Sequence, residues 1–71
     1  MPTVLFINGF RFFFYSNEGA EPPHIHVEKG GAAGKWWISP ISLAWQDGFT
    51  RTQLRAIDTI LQEHTAELRE A

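Results

Sequence analysis

The stretch that decides the fold is VLFINGFRFFFY, residues 4–15. Two runs of β-branched and aromatic residues, 4–7 and 10–15, flank Asn8-Gly9. This dipeptide between apolar runs is the strongest short-range signal for a β-hairpin with a two-residue turn. Such a turn puts Ile7 opposite Phe10 and fixes the register of both strands. We therefore predict an antiparallel hairpin near the start of the chain.

The predicted register assigns each hairpin side chain to one of two faces of the sheet, because side chains alternate along a strand. Both faces are strongly apolar, and only one of them includes a charged residue. One face carries Leu5, Ile7, Phe10, Phe12 and Phe14, and the other carries Val4, Phe6, Arg11, Phe13 and Tyr15.

Shorter extended runs between turn residues predict further strands after the hairpin. Residues 16–20 are typical of a loop, and the glycine-rich segment 30–34 is typical of a flexible turn. The sheet should therefore contain four to five antiparallel strands. The added strands are predicted at residues 24–28, 35–38 and, as a short fifth strand, 42–45.

One helix is predicted at the end of the chain. Thr50 and Gln53 have the spacing of a capping box, and the helix should continue from there to about residue 68. Apolar positions recur at spacings of three and four, which gives a single stripe facing a sheet. The predicted fold is α+β, a single domain over residues 1–71 with one C-terminal helix packed on the sheet. The stripe consists of Leu54, Ile57, Leu61, His64 and Leu68.

Composition limits the classes of function. A chain of 71 residues buries only about 60% of the surface that its unfolded form exposes, so oligomerisation is a common source of added stability. There is no cysteine, which excludes disulfides and thiolate metal sites and fits a reducing cytoplasm. The formal net charge of −2 without a basic stripe argues against nucleic-acid binding by the isolated chain.

No apolar segment approaches the roughly 20 residues that a membrane helix needs. The opening Met1-Pro2-Thr3 also lacks the positive region of a secretory signal. We therefore expect a cytoplasmic protein that does not interact with a membrane.

A single helix covers one face of a sheet, so part of the aromatic surface is left for a partner or for a second copy. Adjacent Trp36 and Trp37 must point to opposite faces if both lie in a strand. An exposed aromatic patch usually marks an interaction site, although a curled sheet that covers its own second face is the alternative. The candidate interaction face comprises Phe6, Arg11, Phe13, Tyr15, Trp36 and Trp37.

Residues 21–28, EPPHIHVE, bring two imidazoles and a carboxylate onto one strand face. His24, His26 and Glu28 alternate with apolar residues, and two prolines hold the chain extended just before them. Neutral imidazoles can bind a divalent transition metal, with Glu28 or a second subunit completing the site. Alternatively, the histidines are structural, one of them bonded to the proline-led loop and the other solvent exposed.

These features resemble the small bacterial family of unknown function numbered 4160. The resemblance rests on the Met-Pro-Thr start, the aromatic hairpin, the Pro-Pro-His-x-His signature at residues 22–26, Gly30-Gly31 and the late helix with His64. It implies a short cytoplasmic protein, often encoded beside another small protein in a toxin–antitoxin-like arrangement, and it implies no activity. Residues 17–20 lack the histidine that many relatives carry there, and Lys29 replaces a frequent aromatic residue.

Three hypotheses follow. The favoured one is an interaction module that pairs with itself or with an operon neighbour through its aromatic face. The second is a metal-assisted hydrolase or nuclease, with the metal at His24, His26 and Glu28 and with Arg11 or Lys29 near a phosphate. The third is a nucleic-acid regulator, which the negative net charge of the chain disfavours. The sequence contains neither a cysteine nucleophile nor a nucleophile-elbow motif, so these two catalytic arrangements do not support an enzyme.

Overall fold

The computed structural model of the protein describes residues 3–15 and 22–64, without the side chains of Thr3 and Tyr15. Five antiparallel strands form one sheet in chain order, and one helix packs on it. The predicted α+β fold is therefore confirmed. The elements are β1 Thr3–Ile7, β2 Phe10–Tyr15, β3 His24–Lys29, β4 Ala32–Ile38, β5 Ile41–Asp47 and α1 Arg51–Glu63.

The hairpin of β1 and β2 has the predicted register. Ile7 pairs with Phe10, and the pairing continues without interruption to Thr3 and Phe14. Asn8 has φ 52° and Gly9 has φ 83°, as both central residues of a type I′ turn require. The turn chemistry read from the sequence therefore sets the register of the first two strands.

The predicted turn over residues 30–34 is wrong, because the turn is only Gly30-Gly31. Lys29 pairs with Ala32, so β4 starts three residues earlier than the predicted residue 35. Gly34 lies inside this strand for a packing reason. A Cβ atom on Gly34 would lie 2.6 Å from Cζ3 of Trp36. The missing side chain therefore makes room for the indole ring.

The predicted fifth strand is present and longer than expected. It spans Ile41–Asp47 rather than residues 42–45. Lys35 pairs with Trp45 whereas Trp36 pairs with Leu43. Ala44 is therefore the extra residue of a β-bulge, a device that twists an edge strand.

Helix α1 begins at the predicted capping box. The Thr50 hydroxyl accepts a hydrogen bond from the Gln53 backbone N–H at 3.1 Å, and the Gln53 side-chain oxygen accepts one from the Thr50 N–H at 2.9 Å. His64 follows the helix as its C-cap and donates its backbone N–H to the Ile60 carbonyl at 3.0 Å. The predicted continuation to residue 68, with Leu68, lies outside the described residues.

The core lies between α1 and one face of the sheet. Ile57 and Leu61 are buried as the helical stripe predicts, and Ile60 is buried beside them. Phe49, in the connection before the helix, packs between Phe10 and Trp36, with ring centroids 6.1 and 6.0 Å away. The buried core consists of Phe10, Phe12, Phe14, Ile25, Val27, Ala32, Trp36, Ile38, Phe49, Ile57, Ile60 and Leu61.

Candidate interaction face and histidine pair

The sheet face opposite α1, called the outer face here, follows from the strand pairing. Residues that pair across antiparallel strands lie in rows and share a face. Tyr15 pairs with His24, but the Tyr15 side chain, a predicted member of the interaction face, lies outside the described part. The outer face consists of Val4, Phe6, Arg11, Phe13, His24, His26, Glu28, Ala33, Lys35, Trp37, Ser42, Trp45 and Asp47.

Large apolar side chains on the outer face are exposed. Phe6 is 70% exposed, Trp45 48% and Val4 40%. Phe13 and Trp37 are half-buried. The helix therefore leaves an aromatic surface uncovered, as the sequence predicts.

The two adjacent tryptophans point to opposite faces, as expected for a strand. Trp36 is a predicted member of the interaction face, but it is buried in the core at 3% exposure. It therefore does not belong to the outer face. Trp37 remains on the outer face, where Trp45 joins it. The sequence does not predict that Trp45 belongs to this face, because the alternation in β5 depends on a bulge that has no sequence signal.

Two cations on the outer face lie over aromatic rings. The Arg11 guanidinium is 5.7 Å from the Phe6 ring centroid and 5.4 Å from that of Phe13. The Lys35 ammonium is 4.7 Å from the Trp37 ring. Such cation–π contacts contribute about 0.5–1 kcal/mol at exposed sites. They also keep the guanidinium and the ammonium group close to the surface of the sheet.

The outer face carries equal numbers of carboxylates and of arginine or lysine cations. Glu28 and Asp47 are exposed and lie in the same row of the sheet as Arg11. These two carboxylates balance Arg11 and Lys35. A face with this balance does not offer the positive surface that nucleic-acid backbones select.

His24 and His26 meet on the outer face. Their ring centroids are 5.3 Å apart, with the ring planes at 71°. The His24 ring also meets Trp37 edge-on at 6.0 Å, and the His26 ring meets Trp45 at 6.4 Å. Each histidine therefore stands between its neighbour and one tryptophan.

His24 is buried although it lies on the outer face, with 4% exposure. Its Nδ1 lies 3.1 Å from the Pro22 carbonyl oxygen. A carbonyl only accepts hydrogen bonds, so Nδ1 carries the proton and donates. This bond fastens the proline-led segment to the sheet, which is the structural role predicted as one alternative.

The structure brings together two of the three predicted metal ligands. Glu28 is exposed two residues beyond His26. Within residues 3–15 and 22–64, no group of three or more His, Cys, Asp or Glu residues is arranged to hold a metal ion. The histidine pair therefore needs ligands from elsewhere to form a complete site.

Lys29, a predicted phosphate contact, lies on the opposite face from the histidines. Its ammonium is 4.6 Å from the Phe10 ring and 3.4 Å from the Asn8 carbonyl oxygen. Lys29 therefore covers the edge of the core near the first turn. Arg11 remains the candidate cation on the outer face.

Fold and site together define a class of protein: a small α+β domain with a five-stranded meander, one covering helix and an aromatic outer face that carries a histidine pair. The chain belongs to the family described as Domain of unknown function (DUF4160), which matches residues 9–71. This confirms the family resemblance of the sequence. No curated protein and no solved structure matches the chain. None of the helices in the described residues has the length and hydropathy to cross a membrane.

Proposed function

We propose that the protein is a small interaction module that self-associates by packing its outer face on that of a second copy. The observation that carries this proposal is the difference between the two sheet faces. The helix covers one face, whereas Phe6 and Trp45 are 70% and 48% exposed on the other. Exposed aromatic patches of this kind mark interaction sites in soluble proteins.

The size of the outer face supports a second copy as the occupant. Five strands of five to seven residues give a face of roughly 24 by 20 Å. Its accessible area exceeds this projection, because aromatic side chains stand out from the sheet. A standard interface buries roughly 800 Å² per partner, so a stable dimer would use the whole outer face rather than a part of it.

The charge pattern supports the same occupant. Arg11 and Lys35 are matched in number by Glu28 and Asp47 on the outer face. A two-fold interface brings each surface against its own copy, so a face with balanced charges can be complementary to itself. A strongly acidic or basic partner gains no electrostatic advantage from such a face.

Analytical ultracentrifugation across the micromolar range tests the proposal. The wild-type chain should sediment as a dimer. Introducing a carboxylate at an exposed face residue, Trp45→Glu or Phe6→Glu, should shift the equilibrium to monomer because the charge cannot be buried unpaired. The matched control is Thr59→Glu on the exposed side of α1, which adds the same charge away from the outer face and should leave the dimer intact.

A monomer at all concentrations, unaffected by Trp45→Glu, would contradict self-association. The toxin–antitoxin-like arrangement implied by the family resemblance provides the other occupant, a small protein encoded beside this one. In that case the outer-face variants should abolish a one-to-one complex with the neighbouring gene product. We also propose a cytoplasmic location for the protein, because its lack of cysteine fits a reducing compartment.

A second candidate function, a metal-assisted hydrolase or nuclease, is favoured by the contact between His24 and His26. Arg11 would supply the cation for a phosphate, since Lys29 lies on the opposite face. Hydrolysis of a model phosphodiester with added Zn²⁺ or Mn²⁺ tests this candidate. Activity lost in His26→Ala and kept in His64→Gln would support it, and absence of turnover with both metals would contradict it.

A further inference from the structure

The separation of the two histidine rings of β3 agrees with that of two ligands on one tetrahedral metal ion. An imidazole nitrogen binds Zn²⁺ at about 2.0–2.1 Å, which puts the ring centre about 3.2 Å from the metal. Two rings at the tetrahedral angle then have centres about 5.2 Å apart. The observed separation of the His24 and His26 centroids is 5.3 Å. No rearrangement of the strand is needed to reach this spacing.

The hydrogen bond of His24 is a second, independent feature of a metal ligand. Histidines that bind metals almost always donate their other ring N–H to a carbonyl or carboxylate, which fixes the tautomer and the ring orientation. His24 Nδ1 donates to the Pro22 carbonyl at 3.1 Å, so Nε2 is the ring nitrogen that carries the lone pair. Pro22 and Pro23 stiffen the segment that supplies this carbonyl.

The described part of one chain supplies only these two ligands, whereas a structural zinc site has four. β3 is the middle strand of the sheet, and His26 lies at the centre of its row, between Phe13 and Lys35. A two-fold axis near this position brings the same residues of a second copy together. The missing ligands are then the second copy's own histidine pair.

We propose that His24 and His26 form half of a divalent transition-metal site of the Zn²⁺ type, completed by the same pair from a second copy across the outer face. This inference rests on the proposed self-association. Four imidazoles leave no open position for a substrate, so the metal stabilises the dimer and takes no part in catalysis. Metal binding and dimerisation are then coupled, and each strengthens the other.

The test uses the full chain, stripped of metal with a chelator, and Zn²⁺ alone as the probe. Calorimetry should give one zinc ion per two chains. Ultracentrifugation should show a dimer dissociation constant lowered about tenfold or more by zinc. Co²⁺ in place of zinc should give the intense visible absorption of a tetrahedral site.

The variants His24→Ala and His26→Ala should each abolish the zinc effect, and His64→Gln, on the helix, should retain it. Because His24 is buried and its loss can unfold the chain, the half-buried His26 carries the decisive variant, His26→Gln, with circular dichroism as the folding check. Zinc binding retained by His26→Gln, or one zinc per chain without a change in mass, overturns the proposal.

The result also separates this inference from the function on which it rests. A dimer that is disrupted by Trp45→Glu but is unaffected by zinc keeps the interaction module and overturns the metal site. A monomer with and without zinc overturns both.

Discussion

The two faces of the sheet use the same residue types for different ends. On the face under α1, Phe10, Phe12 and Phe14 are at most 3% exposed. On the outer face Phe6, in the neighbouring strand, is 70% exposed. Successive side chains of a strand point to opposite faces, so the consecutive apolar residues of β1 and β2 make both faces apolar. The single helix then decides which face becomes the core. For these phenylalanines, the face therefore decides whether the ring stabilises the fold or is available for association.

Charge differs between the faces as well. The two outer-face cations lie over exposed or half-buried rings, whereas Lys29 lies over the buried ring of Phe10 at the edge of the core. Cations over rings cover apolar surface with their stems while the charge remains in water. The outer face is thus covered in part by cationic side chains, whereas the core face is covered by a helix.

The largest expected effect comes from truncating the same residue type on the two faces. Phe12→Ala removes a ring that is 1% exposed and should lower the free energy of unfolding by about 3–5 kcal/mol. Phe6→Ala removes a ring in the paired strand that is mostly in water, so it should change the stability of the monomer by less than about 0.5 kcal/mol. Urea denaturation at low protein concentration measures both.

Repeating the Phe6 measurement at high concentration sharpens the comparison. If the outer face is an interface, Phe6→Ala should then become destabilising, because unfolding is coupled to dimer dissociation. Equal losses for both variants at low concentration would show that the sheet covers its outer face and that the distinction between the faces is wrong.

The next effect tests how tightly the core face is packed. Gly34→Ala puts a Cβ atom 2.6 Å from Cζ3 of Trp36, so the indole must move, and a loss of about 1–3 kcal/mol is expected from overpacking. Gly31→Ala is the matched control, because no atom lies within 4 Å of its added Cβ. Thermal unfolding should separate the two variants by several degrees, and equal melting temperatures would mean that Trp36 has other room.

Much of this fold is predictable from local sequence. Asn8-Gly9 sets the hairpin, and the spacing of Thr50 and Gln53 predicts the capping box that the structure contains. Strand alternation also separates His24 and His26 from the buried Ile25 and Val27. These features depend on residues close together in the chain, where the turn and cap chemistry is specific.

What the sequence misses depends on tertiary contacts. Gly34 looks like part of a turn, and only the position of Trp36 explains a glycine within a strand. The bulge at Ala44 moves Trp45 onto the outer face, and no residue of β5 announces it. The buried state of His24 follows from the approach of Pro22 and Trp37. Such contacts are set by the whole sheet rather than by a local pattern.

A smaller effect tests the helix that creates the difference between the faces. Thr50→Ala removes the hydroxyl that accepts the Gln53 N–H at 3.1 Å and should cost about 0.5–2 kcal/mol. Thr50→Ser keeps the acceptor and should cost much less. Because the cap lies away from the outer face, dimer affinity should be unchanged while the chain is folded. A change in affinity at constant helix content would place α1 in the interface.

A small loss of stability is also expected at two lysines that lie on opposite faces. Lys29 and Lys35 hold their ammonium groups 4.6 and 4.7 Å from the rings of Phe10 and Trp37. Lys29→Glu and Lys35→Glu should each lower the free energy of unfolding of the monomer by about 0.5–1 kcal/mol.

The effects of the two lysine variants on assembly should differ. Lys35→Glu leaves one cation against three carboxylates on the outer face, and two copies then repel each other. Sedimentation equilibrium at low salt should show weaker association for Lys35→Glu and none of this change for Lys29→Glu, and the difference should shrink as salt screens the exposed charges. Association weakened equally by both would move the interface to the edge of the sheet near the first turn, where Lys29 lies 3.4 Å from the Asn8 carbonyl.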